Sequence, residues 1–207
     1  FRSYPVYQVP DGVSREQYLR SVCVEGVRER YGFDADSPSL DEPRREIVRR
    51  MDFELQVIGR MHFTSYFLVV WDFIRFAHRA GIPVGPGRGS GAGSLVAYLT
   101  RITDINPLRY SLLFERFLNP ERVSPPDFDI DFCERRRHEV IAYVREKYGR
   151  ESVAQIGTFG TLKTRAVLKD VARVLGRPFA DGNRLTRHVP GDPKTTLAKA
   201  LEQSPEL

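Results

Sequence analysis

Along the N-terminal part of this 207-residue chain, apolar side chains recur every three or four positions, a period that predicts helices. Ser14 with Gln17 three residues later carries the signature of a capping box. Leu19, Val22 and Val27 follow at near-helical spacing until Tyr31 and Gly32. Asp41, with Pro43 just inside, opens a second helix on which Ile47, Met51, Leu55 and Ile58 share a face. A third helix is expected from about Thr64 to Arg79, stopped by Gly81. The Arg/Glu faces of these helices read as solvated surface around a scaffold.

After Gly81 the helical period gives way to punctuation. Ile82, Pro83 and Val84 suggest a brief strand. The run Gly85-Pro86-Gly87-Arg88-Gly89-Ser90-Gly91-Ala92-Gly93-Ser94 suggests a turn, and Leu95 to Leu99 a helix. Further helices are predicted over Pro107 to Leu118, Glu134 to Tyr148 (closed by Gly149) and Thr161 to Leu175 (ended by Gly176 and Pro178). A loop is expected through Asn119, Pro120, Pro125 and Pro126, and a short strand over Val153 to Ile156. Beyond Phe179 the composition reads as loop, with one short helix near Leu197 to Leu201.

The one stretch of strict alternation is Asp127-Phe128-Asp129-Ile130-Asp131-Phe132. As a strand it places three carboxylates on one face and three apolar side chains on the other. Carboxylates two residues apart sit roughly 7 Å apart and repel, so such a face calls for a divalent cation or basic neighbours. Oxygen ligands of this kind suit Mg²⁺ or Mn²⁺ rather than zinc. An isolated Asp-x-Asp would read more simply as a charged edge strand. A calcium loop is excluded, because Phe132 stands where the sixth-position Gly is needed and His138 where the twelfth-position Glu is needed.

The glycine run is not a phosphate loop of the Gly-Lys-Ser/Thr kind, and its fit to the dinucleotide fingerprint is forced. Its physical content is that glycine lets backbone approach a ligand, while N–H groups at a helix start beside Ser90 can cradle an anion. Arg88 would add a fork for phosphate. A tight packing turn explains the glycines but leaves Arg88 and Ser90 without a role. Together, a phosphate-cradling turn, a helix and an Asp-x-Asp strand point to nucleotidyl transfer.

Composition narrows the partners only slightly. With 41% hydrophobic and 29% charged residues the chain should be globular, and its formal charge of +5 favours a polyanion without requiring one. Cys23 and Cys133 have neither CxxC spacing nor a leader, so neither a disulfide framework nor a zinc site is expected, and a reducing, cytoplasmic setting is. The longest apolar run, Phe67 to Trp71, stops at Asp72, so no membrane span is expected. Phe1 in place of an initiating Met suggests a fragment.

The glycine run, Phe114-Glu115-Arg116-Phe117-Leu118-Asn119-Pro120-Glu121-Arg122 and Pro126 to Phe132 closely resemble the palm motifs of the bacterial DNA polymerase III alpha subunits, the C family. The likeness extends through Gly157-Thr158-Phe159-Gly160-Thr161 and covers nearly the whole chain. It implies an α/β (α+β) fold: a polymerase-β-like nucleotidyltransferase palm with a helix-rich scaffold over residues 1–158, and the start of a helical thumb over 159–207. Carried over by position, Asp127 and Asp129 look like catalytic metal ligands. Gly89, Ser90 and Arg116 look like triphosphate contacts, to which the turn adds Arg88. Asp131 is a neighbour on the same face.

The resemblance further implies two Mg²⁺ ions, for which Mn²⁺ can substitute. The partners it implies are primer–template DNA, dNTP and replisome subunits including sliding clamp, clamp loader and proofreading exonuclease. The family's third catalytic aspartate lies on a later palm strand, so this chain alone is expected to be inactive. Arg165, Lys169, Arg173 and Arg177 recur every four residues and would form one stripe, either a solvated face or a contact for duplex backbone. Two other classes remain open: a transferase acting on a small acceptor without template, and a nucleic-acid-binding module that has lost catalysis.

Overall fold

Ser14 and Gln17 do form a reciprocal capping box. The Ser14 hydroxyl accepts from the Gln17 N–H at 3.1 Å and the Gln17 side chain from the Ser14 N–H at 2.9 Å, opening α1 (Arg15–Tyr31). Gly32 closes it in the left-handed conformation (φ 73°). Asp41 caps α2 (Glu42–Arg60) through the Arg44 N–H, and α3 (Thr64–Arg79) follows. The computed structural model describes residues 5–121, 125–192 and 195–207. They form two compact units, Phe1–Ala154 and Gln155–Leu207.

In the first unit α3 is the central helix, with Phe67, Leu68 and Ile74 fully buried. A helix that is apolar nearly all round can be satisfied only inside other layers. Leu19, Cys23 and Val27 of α1, Met51 and Ile58 of α2, and Leu95 and Leu99 of α4 (Leu95–Leu99) complete this core. Each such side chain contributes about 1.5–3 kcal/mol on burial. Gly26 permits the closest approach: a Cβ there would run into the Leu99 carbonyl, so α1 and α4 touch backbone to backbone.

α5 (Arg137–Tyr148) is tied to α3 by a polar clasp. Asp72, nearly buried, accepts from the Tyr143 hydroxyl at 2.9 Å, the Tyr148 hydroxyl at 3.0 Å and Lys147 Nζ at 2.5 Å. A buried carboxylate so surrounded is satisfied.

No β-sheet forms among the described residues, which corrects the α/β expectation: the protein is helix-rich. The segments expected as strands at 82–84 and 127–132 meet antiparallel, but only as two isolated bridges, Val84 with Phe132 and Arg88 with Asp129. From one bridge to the other, one segment advances four residues and the other three. The extra residue falls at Pro86-Gly87, where Pro86 has no N–H to donate and Gly87 takes φ 88°. This bulge breaks the ladder, and two short segments do not make a stable sheet. Val153 is extended, yet nothing among the described residues pairs with 153–156, and Ile156 is 91% exposed.

The helix expected over Pro107 to Leu118 is also absent; turns end in a 3-10 turn at Phe114–Arg116. Ser111 takes φ 52° and Leu113 is extended, while Arg50 draws the Leu112 carbonyl toward α2 at 3.4 Å. Tertiary contacts thus override local propensity.

The second unit packs α6 (Thr164–Val174) against α7 (Phe179–Arg187), with α8 (Leu197–Gln203) following. α7 occupies what reads in sequence as loop. Its Gly182 is the reason for both facts: it weakens the helical signal, and it lets α7 lie against α6, where an added Cβ would sit 3.6 Å from Ala172 Cβ and Lys169 Cα.

Candidate nucleotide and metal site

The alternation at 127–132 behaves as its pattern demands. Phe128 stacks on Tyr66 (5.7 Å, 10°) and meets the Phe67 and Phe117 rings at 5.2 and 4.7 Å, while Ile130 and Phe132 also face the core. The Tyr66 hydroxyl accepts the Phe128 N–H at 3.2 Å, fixing the segment's height on α3. With the apolar set anchored, Asp127 and Asp131 are exposed and Asp129 half-exposed.

The glycine run lies directly across this acidic face. It forms a 3-10 turn (Gly89–Gly93) capped by the start of α4. An added Cβ on Gly89 would reach Asp129 Oδ2 at 3.0 Å, on Gly91 the Phe128 ring at 2.7 Å, and on Gly93 the Leu113 carbonyl at 2.6 Å. Close approach therefore requires glycine at 91 and 93, and at 89 the left-handed backbone (φ 74°) favours it. Arg88 reaches both carboxylates beside it, with Nε 3.1 Å from Asp131 Oδ2 and Nη1 3.4 Å from Asp129 Oδ1. Ser90 is exposed at the turn. Arg116 is exposed on the 3-10 turn that packs against the glycine turn.

Behind the turn lies a residue that sequence reasoning passed over. Glu54, fully buried on α2, accepts two hydrogen bonds on each oxygen. Arg50 Nε (2.6 Å) and the Leu95 N–H (3.0 Å) donate to Oε1, and the Ser94 hydroxyl (2.9 Å) and Val96 N–H (3.0 Å) to Oε2. Burial pushes its carboxyl above the usual carboxylate range, while the Leu95 and Val96 amides and Arg50 pull the other way. Arg50 continues to the Gly93 carbonyl at 3.1 Å, so one ion pair staples the turn to α2. The N–H groups opening α4 are thus taken internally by Glu54 and Ser94, which leaves the expected anion cradle without those donors. The signal was present: at three residues from Met51 and four from Ile58, Glu54 is a charge within the apolar stripe of α2.

The basic stripe in the second unit is redistributed. Arg165 and Lys169 line an open cleft of about 540 Å³ with Asn183, Thr186 and Arg187 of α7. Arg165 also donates to the Val189 carbonyl at 2.8 Å, and Arg173 pairs with Asp170 at 3.0 Å. Arg177 leaves the stripe, because α6 ends at Val174 and Gly176 turns the chain with φ 67°.

The family described as Bacterial DNA polymerase III alpha NTPase domain matches residues 17–207. The chain is 52% identical to the DNA polymerase III subunit alpha of Bacillus subtilis over 98% of its length, and 54% identical to that of Treponema pallidum over 96%. The chain belongs to the bacterial DNA polymerase III alpha family. It is likewise 52% identical to the subunit of Escherichia coli O6:H1 over 99% of its length, and it spans 16–18% of the length of these three relatives.

The carboxylates of Asp127 and Asp129 are hard oxygen donors of the kind a divalent metal takes. Among the described residues no three His, Cys, Asp or Glu side chains converge as a closed metal site. Two carboxylates on one exposed face nonetheless suit Mg²⁺, which keeps waters and shares its shell with substrate phosphates. That Arg88 already lies across Asp129 and Asp131 shows that this face attracts positive charge. Cys23 is fully buried with its thiol pushed up, which rules it out as a nucleophile. Arg122, at the end of the second motif, lies outside the described residues. Among them no helix is long and apolar enough to cross a membrane.

Proposed function

We propose that this chain is the nucleotide-binding part of a template-directed DNA polymerase, adding dNTP to a primer 3′-hydroxyl with release of pyrophosphate. The observation that carries the reading is the bridge between Arg88 and Asp129, with Gly89 against the same carboxylate, which puts a phosphate-type turn and an acidic strand edge together. Asp127 and Asp129 would hold two Mg²⁺ ions, replaceable by Mn²⁺, together with a third aspartate elsewhere in the full-length subunit. Bound there, such metals would lower the pKa of the primer hydroxyl and neutralise charge on the triphosphate.

Gly89 and Ser90 present donors to the triphosphate, and Arg88 and Arg116 add charge. The rate then comes from positioning and charge stabilisation without a covalent intermediate. Residues 1–158 belong to a polymerase-β-like palm, whose sheet other segments of the subunit would complete from the bridged pair, and 159–207 begin the thumb. There Arg165 and Lys169, which stay together on one cleft, lie toward duplex backbone, while Arg173 and Arg177 drop out of that contact; the enzyme is cytoplasmic and works with sliding clamp, clamp loader and proofreading exonuclease.

Primer extension by the full-length subunit on templates of differing sequence tests this. Incorporation that follows the template supports it. Nucleotide transfer without template would favour a small-acceptor transferase, and tight DNA binding indifferent to Mg²⁺ and dNTP a module without catalysis. Alanine at Arg165 and Lys169 should lower the salt dependence of DNA binding by about 0.9 in log–log slope for each phosphate no longer neutralised.

A further inference from the structure

Asp131 shares the face of Asp127 and Asp129, and its spacing alone would make it a third metal ligand. Its surroundings say otherwise. Its carboxylate accepts a hydrogen bond from Arg88 Nε at 3.1 Å, whereas Asp129 meets Arg88 Nη1 only as a looser ion pair at 3.4 Å. The backbone reinforces the pairing. The Asp131 carbonyl accepts the Gly85 N–H at 2.8 Å, and a Cβ on Gly85 would lie 3.3 Å from Asp131 Cβ, so the residues leading into Arg88 are seated on Asp131 itself.

Stability does not account for the contact. The Arg88 and Asp131 side chains are 60% and 63% exposed, and an exposed pair contributes about 0–1 kcal/mol. What the contact fixes is direction. A guanidinium held at Nε keeps its two Nη groups free to fork onto a second anion, the bidentate use for which arginine is suited. A cation taking Asp129 would release Nη1 while leaving the Asp131 anchor in place.

We infer that Asp131 is a positioning residue that holds Arg88 by its Nε, so that Arg88 presents its Nη donors to the nucleotide triphosphate. The inference rests on the nucleotide-site reading above.

The test uses the full-length subunit in wild-type, Asp131→Asn, Arg88→Ala, doubly substituted and Asp127→Asn forms, with thermal midpoints confirming folding. Two quantities are read: equilibrium dNTP binding to a dideoxy-terminated primer–template complex, and the Mg²⁺ midpoint for primer extension. Asp131→Asn should weaken dNTP binding about five- to tenfold, as loss of a charge-assisted hydrogen bond would. It should leave the Mg²⁺ midpoint unchanged, and the double variant should bind dNTP no worse than Arg88→Ala. A raised Mg²⁺ midpoint in Asp131→Asn, or an effect that adds fully to that of Arg88→Ala, would overturn the inference while Asp127→Asn remains inactive. Wild-type extension by Asp127→Asn would instead overturn the site reading, and this inference with it.

Discussion

Two carboxylates flank the same glycine turn and share nothing else. Glu54, behind it, is fully buried, and both lone pairs of each oxygen accept a donor. Asp129, in front, has a side chain 43% exposed and meets Arg88 at 3.4 Å, so it retains lone pairs for an incoming cation. The carboxylate that organises structure is saturated by its neighbours, and the one proposed for metal chemistry is left partly open. The turn between them is thus rigid on its inner side and available on its outer side, which is what preorganised catalysis requires.

The comparison breaks most visibly from the inside. Glu54→Ala should cost about 3–5 kcal/mol, because it strands Arg50 and the opening N–H groups of α4. Hydrogen exchange on the full-length subunit should show residues 95–99 losing protection, whereas Asp129→Asn should leave them protected. Gly91→Ala comes next. Its Cβ would meet the Phe128 ring at 2.7 Å, and since Tyr66, Phe67 and Phe117 hold that ring, the strain should reach about 1–3 kcal/mol and shift the acidic segment. Thermal unfolding and primer extension should both register it. Gly182→Ala sharpens the contrast with the opposite sign. In α7 the added methyl finds only ordinary contact at 3.6 Å, so α7 should gain about 0.5–1 kcal/mol, read as slower hydrogen exchange there.

Much of the helical frame was legible because its signals are local. Ser14 with Gln17, Asp41 with Pro43, and Gly32 state the ends of α1 and α2 in the residues themselves. The alternation at 127–132 likewise announced which side chains turn inward. What escaped depends on partners distant in sequence. Glu54 stands within the apolar stripe of α2, but what it holds there, Ser94, Leu95 and Val96, lies some forty residues on, and α7 was hidden by a glycine whose purpose is contact with α6. The strand expectation failed for a related reason: residue pattern gives the faces of an extended segment but not whether a bulge at Pro86-Gly87 interrupts its pairing.

Asp127 and Asp129 are the two residues proposed to carry the metal chemistry. The most direct test of that assignment is single-turnover primer extension under Mg²⁺ by the full-length subunit, comparing wild type with Asp127→Asn and Asp129→Asn at equal folded concentration and saturating primer–template. Each variant should lose more than about 100-fold in rate, beyond what removing a residue that merely supports a metal ligand costs, with DNA binding retained. A rate close to wild type in either variant would contradict the assignment.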